Sequence, residues 1–205
     1  IGKIEVDPLA ITIIAGTDAK EYDGTPLTKD AWTLDPSTPL ATGDAIDTVT
    51  VTGSITDPGN TPNVASDAVI VKGTEEVTGN YVITYVPGTL TVTPSKDPLV
   101  IKSNDCELTY NGTEQSCEDY TVTYDGDTVP ECTTCDAGTG EHKYVVTPGD
   151  TITITDPATR RDVTDSVPNT FTVDIPEPDH FSKIDTVIGK IEVDPLAITI
   201  IAGTD

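Results

Sequence analysis

Methionine is absent from this chain and basic residues are scarce, with 11 Lys and Arg against 35 Asp and Glu and a formal charge of −24. A surface of one sign repels phosphate backbones and anionic lipid, which argues against nucleic acid and membrane surfaces as partners. The charge reads as a solubility device, with cation binding as the sharper alternative. The missing methionine predicts an internal stretch of a longer precursor, with any signal peptide or wall anchor outside it. Aromatic residues make up only 5% of the chain, with one Trp and two Phe. Each core must therefore be built from Val, Ile, Leu and Thr with a few Tyr. No apolar run approaches the roughly 20 residues that span a bilayer. There is no low-complexity acidic block either; acidic residues are scattered between apolar ones, which argues against disorder.

Catalytic constellations are also missing. The two histidines, His142 and His180, stand in polar, loop-like stretches and read as solvated. No serine sits on the sharp turn that a hydrolytic triad needs. No catalytic residue is assigned, and the chain reads as a non-enzyme.

What is present is a repeat. The stretch IGKIEVDPLAITIIAGTD, Ile1–Asp18, returns unchanged at Ile188–Asp205, an offset of 188 − 1 = 187 residues. A long fixed period marks a quasi-one-dimensional protein whose units stack or link end to end. Within the period, Asp-Pro-Leu occurs at Asp7–Leu9, Asp97–Leu99 and Asp194–Leu196, each copy between two strand-like runs. Proline fixes φ and extends the residue before it, so a strand can leave one module and run into the next. Pro8, Pro98 and Pro195 are accordingly read as module joints. They divide the chain into the last strand of a preceding repeat (1–6), a first module (7–96), a second, diverged module (97–193) and the first strand of the next repeat (194–205).

Sixteen Gly and sixteen Pro interrupt the chain too often for long helices. Leu9, Ile11 and Ile13 share one face, Thr48–Thr52 alternates strictly, and Tyr81, Ile83 and Tyr85 share a face, as do Leu90 and Val92. Such period-two alternation predicts antiparallel sheet with one buried side. Asp23-Gly24 and Asp57-Pro58-Gly59 supply turns, and Pro87-Gly88 predicts a hairpin between Tyr81–Val86 and Thr89–Thr93. Thr28–Trp32 reads as a single helical turn capped by Thr28. Trp32 reads as core rather than as a platform for stacking carbohydrate.

The second module repeats the plan loosely. Tyr22-Asp-Gly-Thr25 is matched by Tyr110-Asn-Gly-Thr113, and Thr48–Gly53 by Thr121–Gly126. Val77–Tyr81 finds a looser counterpart in Val163–Phe171, and the Pro87-Gly88 turn is replaced by an acidic loop, Pro176–Asp185. Asn111-Gly-Thr113 is formally a glycosylation acceptor, but Asp23 in the duplicate makes the turn the better explanation.

All four cysteines, Cys106, Cys117, Cys132 and Cys135, lie in the second module. An even count of cysteines in an oxidising compartment would give two disulfides, with three possible connectivities. Cys106 and Cys117 flank the Tyr110-Asn-Gly turn, which favours Cys106–Cys117 and leaves Cys132–Cys135. Cys132-Thr-Thr-Cys135 has redox spacing but no βαβ setting. The four lack the two close pairs of a zinc site.

Tyr22-Asp-Gly-Thr-Pro-Leu-Thr28 and Asn80-Tyr-Val-Ile-Thr-Tyr-Val-Pro-Gly-Thr-Leu-Thr-Val-Thr93 resemble the MBG-type repeat modules of large bacterial cell-surface proteins. The likeness spans the first module; the second keeps the Tyr-Asn-Gly-Thr turn. It implies an all-β, adhesin-like stalk outside the cell, with β-grasp-like or immunoglobulin-like topology and no catalytic residues.

Aspartates gather near the joints: Asp7, Asp18 and Asp23 around the first, Asp97 and Asp105 around the second. Calcium takes six to eight oxygens, so these five are candidate ligands, though no Asp-x-Asp-x-Asp-Gly loop is present. No other cofactor is expected. The expectation is a structural stalk or filament repeat, extracellular, on a bacterial surface or secreted. Its partners are the neighbouring repeats and other copies in a fibre. The alternative is an adhesive module that binds a host glycan or protein through loops of the second module.

Overall fold

The alternation of Leu9–Ala15 becomes a strand with Ile11, Ile13 and Ala15 buried on one face. In the computed structural model, which describes residues 2–133, 135, 140–147 and 150–199, the same pattern builds an all-β chain with no α-helix among those residues. It divides into two compact units, Ile1–Pro94 and Ser95–Asp205.

The first unit contains β1 (Leu9–Ala15), β2 (Asp18–Glu21), β3 (Trp32–Leu34), β4 (Ala45–Thr52), β5 (Gly59–Lys72), β6 (Glu75–Glu76), β7 (Tyr81–Val86) and β8 (Gly88–Thr93). One sheet runs β3-β1-β7 and the other β2-β8-β5-β4, with β6 on β5. Ile13, Ala15, Ala65 and Ala68 are buried together, with Trp32 packed against them as expected of a core residue. Tyr22, Leu27, Leu90 and Val92 form a second cluster. Each fully buried aliphatic side chain contributes about 1.5–3 kcal/mol.

The predicted hairpin at Pro87-Gly88 does not form. Strands β7 and β8 lie in different sheets: β7 pairs β1 in parallel, and β8 pairs β2 in parallel and β5 antiparallel. Parallel pairs thus stand beside the antiparallel ones that alternation alone suggested. The cause is a crossover: β1 and β7 pass together from one sheet into the other as β2 and β8. A Cβ at Gly88 would collide with the Gly16 carbonyl, so only glycine lets the two chains cross this closely. Thr28–Trp32 is likewise no helical turn. Leu27 is bridged to Ile55, and the chain enters β3 at Trp32, opposite Ala15.

The second unit contains β9 (Leu99–Ser103), β10 (Cys106–Thr109), β11 (Gln115–Ser116), β12 (Tyr120–Tyr124), β13 (Asp127–Val129), β14 (His142–Thr147), β15 (Asp150–Thr155), β16 (Thr159–Arg160), β17 (Thr164–Asn169), β18 (Thr172–Asp174), β19 (Ile184–Val187) and β20 (Gly189–Asp194). Its sheets run β13-β12-β9-β19, β10-β20-β17, β14-β15-β18 and β11-β16. The main core is Leu99, Ile101, Val122, Tyr144, Ile152, Ile154 and Phe181. A smaller cluster of Cys117, Ile191 and Val193 lies apart from it.

The duplication is real in the fold, but several sequence matches shift. The Tyr22 and Tyr110 turns correspond in detail: Asp23 Oδ1 accepts from the Thr25 N–H at 2.9 Å and Asn111 Oδ1 from the Thr113 N–H at 2.9 Å. Thr121–Tyr124, however, lies in β12, which pairs β9 as β3 pairs β1; its counterpart is β3, not Thr48–Gly53. Val163–Phe171 does not replace Val77–Tyr81. It carries β17, which lies antiparallel to β20 as the start of β5 lies to β8. The 3-10 turn Pro178–His180 holds the place of Thr78–Asn80. The acidic stretch Pro176–Asp185 leads into β19, and the true partner of Pro87-Gly88 is Ile188-Gly189. Both glycines precede the last strand, and a Cβ at Gly189 would strike the Ser103 carbonyl.

Candidate functional site

Two features repeat in both units, one in how strands cross between sheets within a unit and one in how the chain enters and leaves it. The first is the crossover. Asn63 is fully buried, and its Nδ2 donates to the Gly16 carbonyl at 2.8 Å and the Lys29 carbonyl at 2.7 Å. Asn169 is fully buried, and its Nδ2 donates to the Asn104 carbonyl at 3.0 Å. Each Asn is paired with the crossing glycine, Asn63 with Gly88 and Asn169 with Gly189. Each follows a proline, which removes a ladder donor; β17 tolerates that as an edge strand. The residue after each glycine is also clasped: the Thr89 N–H donates to Thr17 Oγ1 at 3.1 Å, and the Lys190 N–H to Asp105 Oδ1 at 2.9 Å.

The second feature is the joint. Counting from the crossover, Leu99 stands where Ile11 does, not where Leu9 does. Leu99 is fully buried whereas Leu9 is 43% exposed. The Asp-Pro-Leu copies at 7–9 and 97–99 are therefore not equivalent positions, and Pro98 is not the counterpart of Pro8. The prolines that end the last strands are Pro94, directly after β8, and Pro195, directly after β20. Proline cannot donate to a ladder, so each strand stops there. The unit boundary falls between Pro94 and Ser95, two residues before the expected one. Ser95 belongs to the second unit because its N–H donates to the His180 carbonyl at 2.9 Å and its carbonyl accepts from the Ser182 N–H at 2.9 Å. Its hydroxyl also lies 2.6 Å from the Tyr124 hydroxyl.

The repeated segment is in opposite states at its two ends. Ile191 and Val193 are buried in β20, at 0% and 1% exposure, whereas the same letters at Ile4 and Val6 are 92% and 87% exposed. Ile11 is buried in β1, while its copy Ile198 is 77% exposed. Residue 1 and residues 200–205 of the two flanking segments lie outside the described residues.

No protein-family model matches the chain, and no curated protein matches it in sequence.

The five candidate calcium ligands are spread over both units, and three of them have structural work. Asp18 Oδ2 lies 2.9 Å from Lys29 Nζ. Lys20 and Thr25 hold Asp23 from the other side of its turn. Asp105 clasps Lys190. The Lys29 hydrogen bond first, then the Ala19 N–H, lowers the Asp18 carboxyl below its ordinary value. The Lys20 hydrogen bond, then Thr25, pulls Asp23 down to about 2. Asp97 is half-buried, and its N–H donates to Ser95 Oγ at 3.2 Å. Asp7 is exposed beside Pro8 at a cavity of about 360 Å³, where the Tyr81 hydroxyl donates to Asp44 Oδ2 at 2.7 Å.

Among the described residues, the ligand group compact enough to share a cation is Glu177, Asp179 and His180, with ligand atoms all within 4.8 Å of one another. His180 is not solvated as its polar neighbours suggested. It is buried, with Nδ1 2.8 Å from Asp150 Oδ1. The neighbouring Phe181, which enters the main core, is the signal that points to it. His142 is also held, with Nδ1 2.8 Å from Glu131 Oε1 and its ring edge-on to Tyr120. Both expected disulfides are present, Cys106–Cys117 with Cα atoms 6.2 Å apart and Cys132–Cys135 at 5.5 Å. All four thiols are paired in these two disulfides. Disulfides fit an oxidising, non-cytoplasmic compartment. No helix among the described residues is long and apolar enough to cross a membrane.

Proposed function

We propose that the chain is one period of a tandem array of β modules, working as a stalk or filament repeat outside a bacterial cell. The observation that carries this reading is the repeated segment. Its first half is a buried last strand at Gly189–Asp194 and its second half a buried first strand at Leu9–Ala15, while the described residues of each spare copy, 2–7 and 196–199, are exposed. One segment thus serves two successive units, ending one and starting the next. The mechanical role follows from many small cores in series, which set reach, and from short joints, which set stiffness. The MBG-like motifs and the disulfides support the extracellular bacterial setting. Electron micrographs of the native protein test the proposal, which expects thin, unbranched fibres at the cell surface; a compact globular particle would refute it.

A second reading, adhesion to a host glycan or protein, is favoured by one observation. Both arginines of this acidic chain, Arg160 and Arg161, stand side by side at an open hollow of about 420 Å³ in the second unit, with Thr159, Asp162 and Glu114. Arg161 is paired with Asp162 at 3.2 Å and Glu114 offsets Arg160, so the hollow carries no net charge and suits a neutral polar glycan. A glycan array probed with the chain and with Arg160→Ala/Arg161→Ala separates the two readings. A metal ion is a subsidiary proposal for the Glu177–Asp179–His180 group; an imidazole beside two carboxylates suits a transition metal such as zinc rather than calcium, which prefers oxygen ligands alone. Melting in zinc against chelator at matched ionic strength tests it; equal melting temperatures would remove it.

A further inference from the structure

We infer that the Asp194-Pro195 bond, at the end of the second unit, is a self-cleaving joint at which the Asp194 carboxylate cuts its own backbone in mild acid. The chain holds six Asp-Pro bonds, after Asp7, Asp35, Asp57, Asp97, Asp156 and Asp194. An aspartyl carboxylate reaches its own carbonyl carbon through a five-membered ring, and such proximity makes intramolecular attack fast. Proline is the weak point on the other side. Its nitrogen is a tertiary amide with no N–H for a ladder to hold. What separates the six bonds is whether the carboxylate is free to turn and whether the carbonyl is activated.

Asp194 meets both conditions. It is the outward-facing last residue of β20, and among the described residues its carboxylate has no hydrogen-bond or ion-pair partner. Its carbonyl accepts from the Tyr110 N–H at 2.8 Å, a fixed donor aimed where charge develops on attack. Asp35 Oδ1 is instead occupied by the Ser37 N–H at 2.8 Å and the Ser37 hydroxyl at 2.7 Å. Asp156 Oδ2 accepts from Thr155 Oγ1 at 3.2 Å, and Asp57 makes an interaction of its own. Asp97 is half-buried, with its N–H on Ser95 Oγ. Asp7 repeats the letters of the joint, without a donor on its carbonyl among the described residues.

The first unit supplies the matching case. Thr93 ends β8 as Asp194 ends β20, Pro94 follows it, and the Tyr22 N–H donates to its carbonyl at 2.8 Å. Only the carboxylate is missing. Thr93 is exposed although the second unit follows it, so this position stays open where the chain continues. The joint inside each period therefore resists acid and the joint between periods yields. The product is residues 8–194, that is 194 − 8 + 1 = 187 residues, with both units whole.

In the step, Asp194 Oδ bonds to the Asp194 carbonyl carbon, and an electron pair shifts onto the oxygen that the Tyr110 N–H holds. Hydronium protonates the Pro195 nitrogen. The C–N bond breaks, and its electron pair leaves with the proline as an amine. The carbonyl re-forms as a cyclic anhydride, which water opens to the two carboxyls of a new C-terminal aspartate. One water is consumed, and nothing is oxidised or reduced. The cut is a property of this chain. Only its yield of whole periods rests on the array reading, which scattering tests separately.

The test incubates the full chain at about pH 3, inside the carboxylate range, both folded and unfolded in guanidinium, and reads the cuts by intact mass. The folded chain should break at 194–195 about tenfold faster than the unfolded one, the gain from one fixed hydrogen bond. The bonds after Asp35, Asp97 and Asp156 should break only on unfolding. Asp194→Asn should abolish the cut at an unchanged melting temperature. Thr93→Asp, at an exposed position, should open a new cut at 93–94. The inference is overturned if the folded chain breaks at 194–195 no faster than the unfolded one, or if Thr93→Asp adds no cut. A cut at 194–195 that survives Asp194→Asn would overturn it equally.

Discussion

Asn63 and Gly88 are paired across β5 and β8, and the buried amide of the one reaches the Gly16 carbonyl against which the other is pressed. Asn169 and Gly189 stand in the same relation at Asn104. This clasp holds both crossing strands, so it should dominate the stability of each unit. Asn63→Ala leaves buried carbonyls without their donor, and should cost the first unit about 1–3 kcal/mol in urea unfolding. Gly88→Ala should cost about 2–4 kcal/mol, because its Cβ meets backbone that cannot give way. Asn169→Ala and Gly189→Ala should act alike on the second unit alone. A variant at either glycine that melts like the parent would mean the strands do not cross there.

The Cys106–Cys117 bridge closes a loop of 11 residues in sequence separation. In the chain-entropy treatment such a loop is worth about 2–3 kcal/mol. Cys106→Ser/Cys117→Ser should fold, melt lower by that amount in the second unit, and leave the first unit, which has no cysteine, untouched. Intact mass after alkylation without reduction should show no modified cysteine in the parent.

The two units should answer opposite ends of the pH scale. In the first, Lys20 and then Thr25 hold the Asp23 carboxyl at about 2. A lowered native value means that this stabilisation is present above the ordinary carboxylate range near 3.9 and lost as pH falls through about 2. In the second, burial and then Glu131 push the Tyr144 phenol up to about 12. A raised native value means full stabilisation below about 10, lost as pH rises through about 12. Carboxyl chemical shifts should titrate Asp23 near 2, and Asp23→Asn should flatten the acid limb of the first unit. Tyrosinate absorbance should lose its last-titrating component in Tyr144→Phe. An Asp23 midpoint near 4 would mean the lysine pairing is absent in solution.

Much of this was legible in the sequence because it is local. Alternation around Ile11 and Ile13, the turns at Tyr22 and Tyr110, and both disulfides depend on residues near one another in the chain. The Pro87-Gly88 signal is ambiguous because it suits a crossover as well as a hairpin. The deciding contact is with Gly16, 72 residues away by the subtraction 88 − 16. The matching signal was visible in the shared pattern of Val86-Pro-Gly-Thr-Leu-Thr-Val92 and Val187-Ile-Gly-Lys-Ile-Glu-Val193, together with the Pro-Asn pair upstream of each. Asp-Pro-Leu misled for the opposite reason. Identical letters at 7–9 and 97–99 fall two residues apart once burial is counted from the crossover, because Ser95 is stitched into the second unit by His180 and Ser182. His180 was hidden by the polar letters around it, and only its pairing with Asp150, 30 residues back, buries it.

The joints carry the central claim. From Pro94 to the first buried apolar residue, Leu99, is 99 − 94 = 5 residues, and from Pro8 to Ile11 is 11 − 8 = 3. Neither span contains glycine, and proline-containing connections are semi-rigid. A compact module of about 100 residues is roughly 34 Å across, so a stiff array of two modules per period should advance roughly 70 Å or more per period. Small-angle scattering on chains of one, two and three 187-residue periods measures this directly. The stalk account predicts a maximum dimension that rises linearly with the number of periods. A rise closer to the square root of that number would mean free joints, and would contradict it.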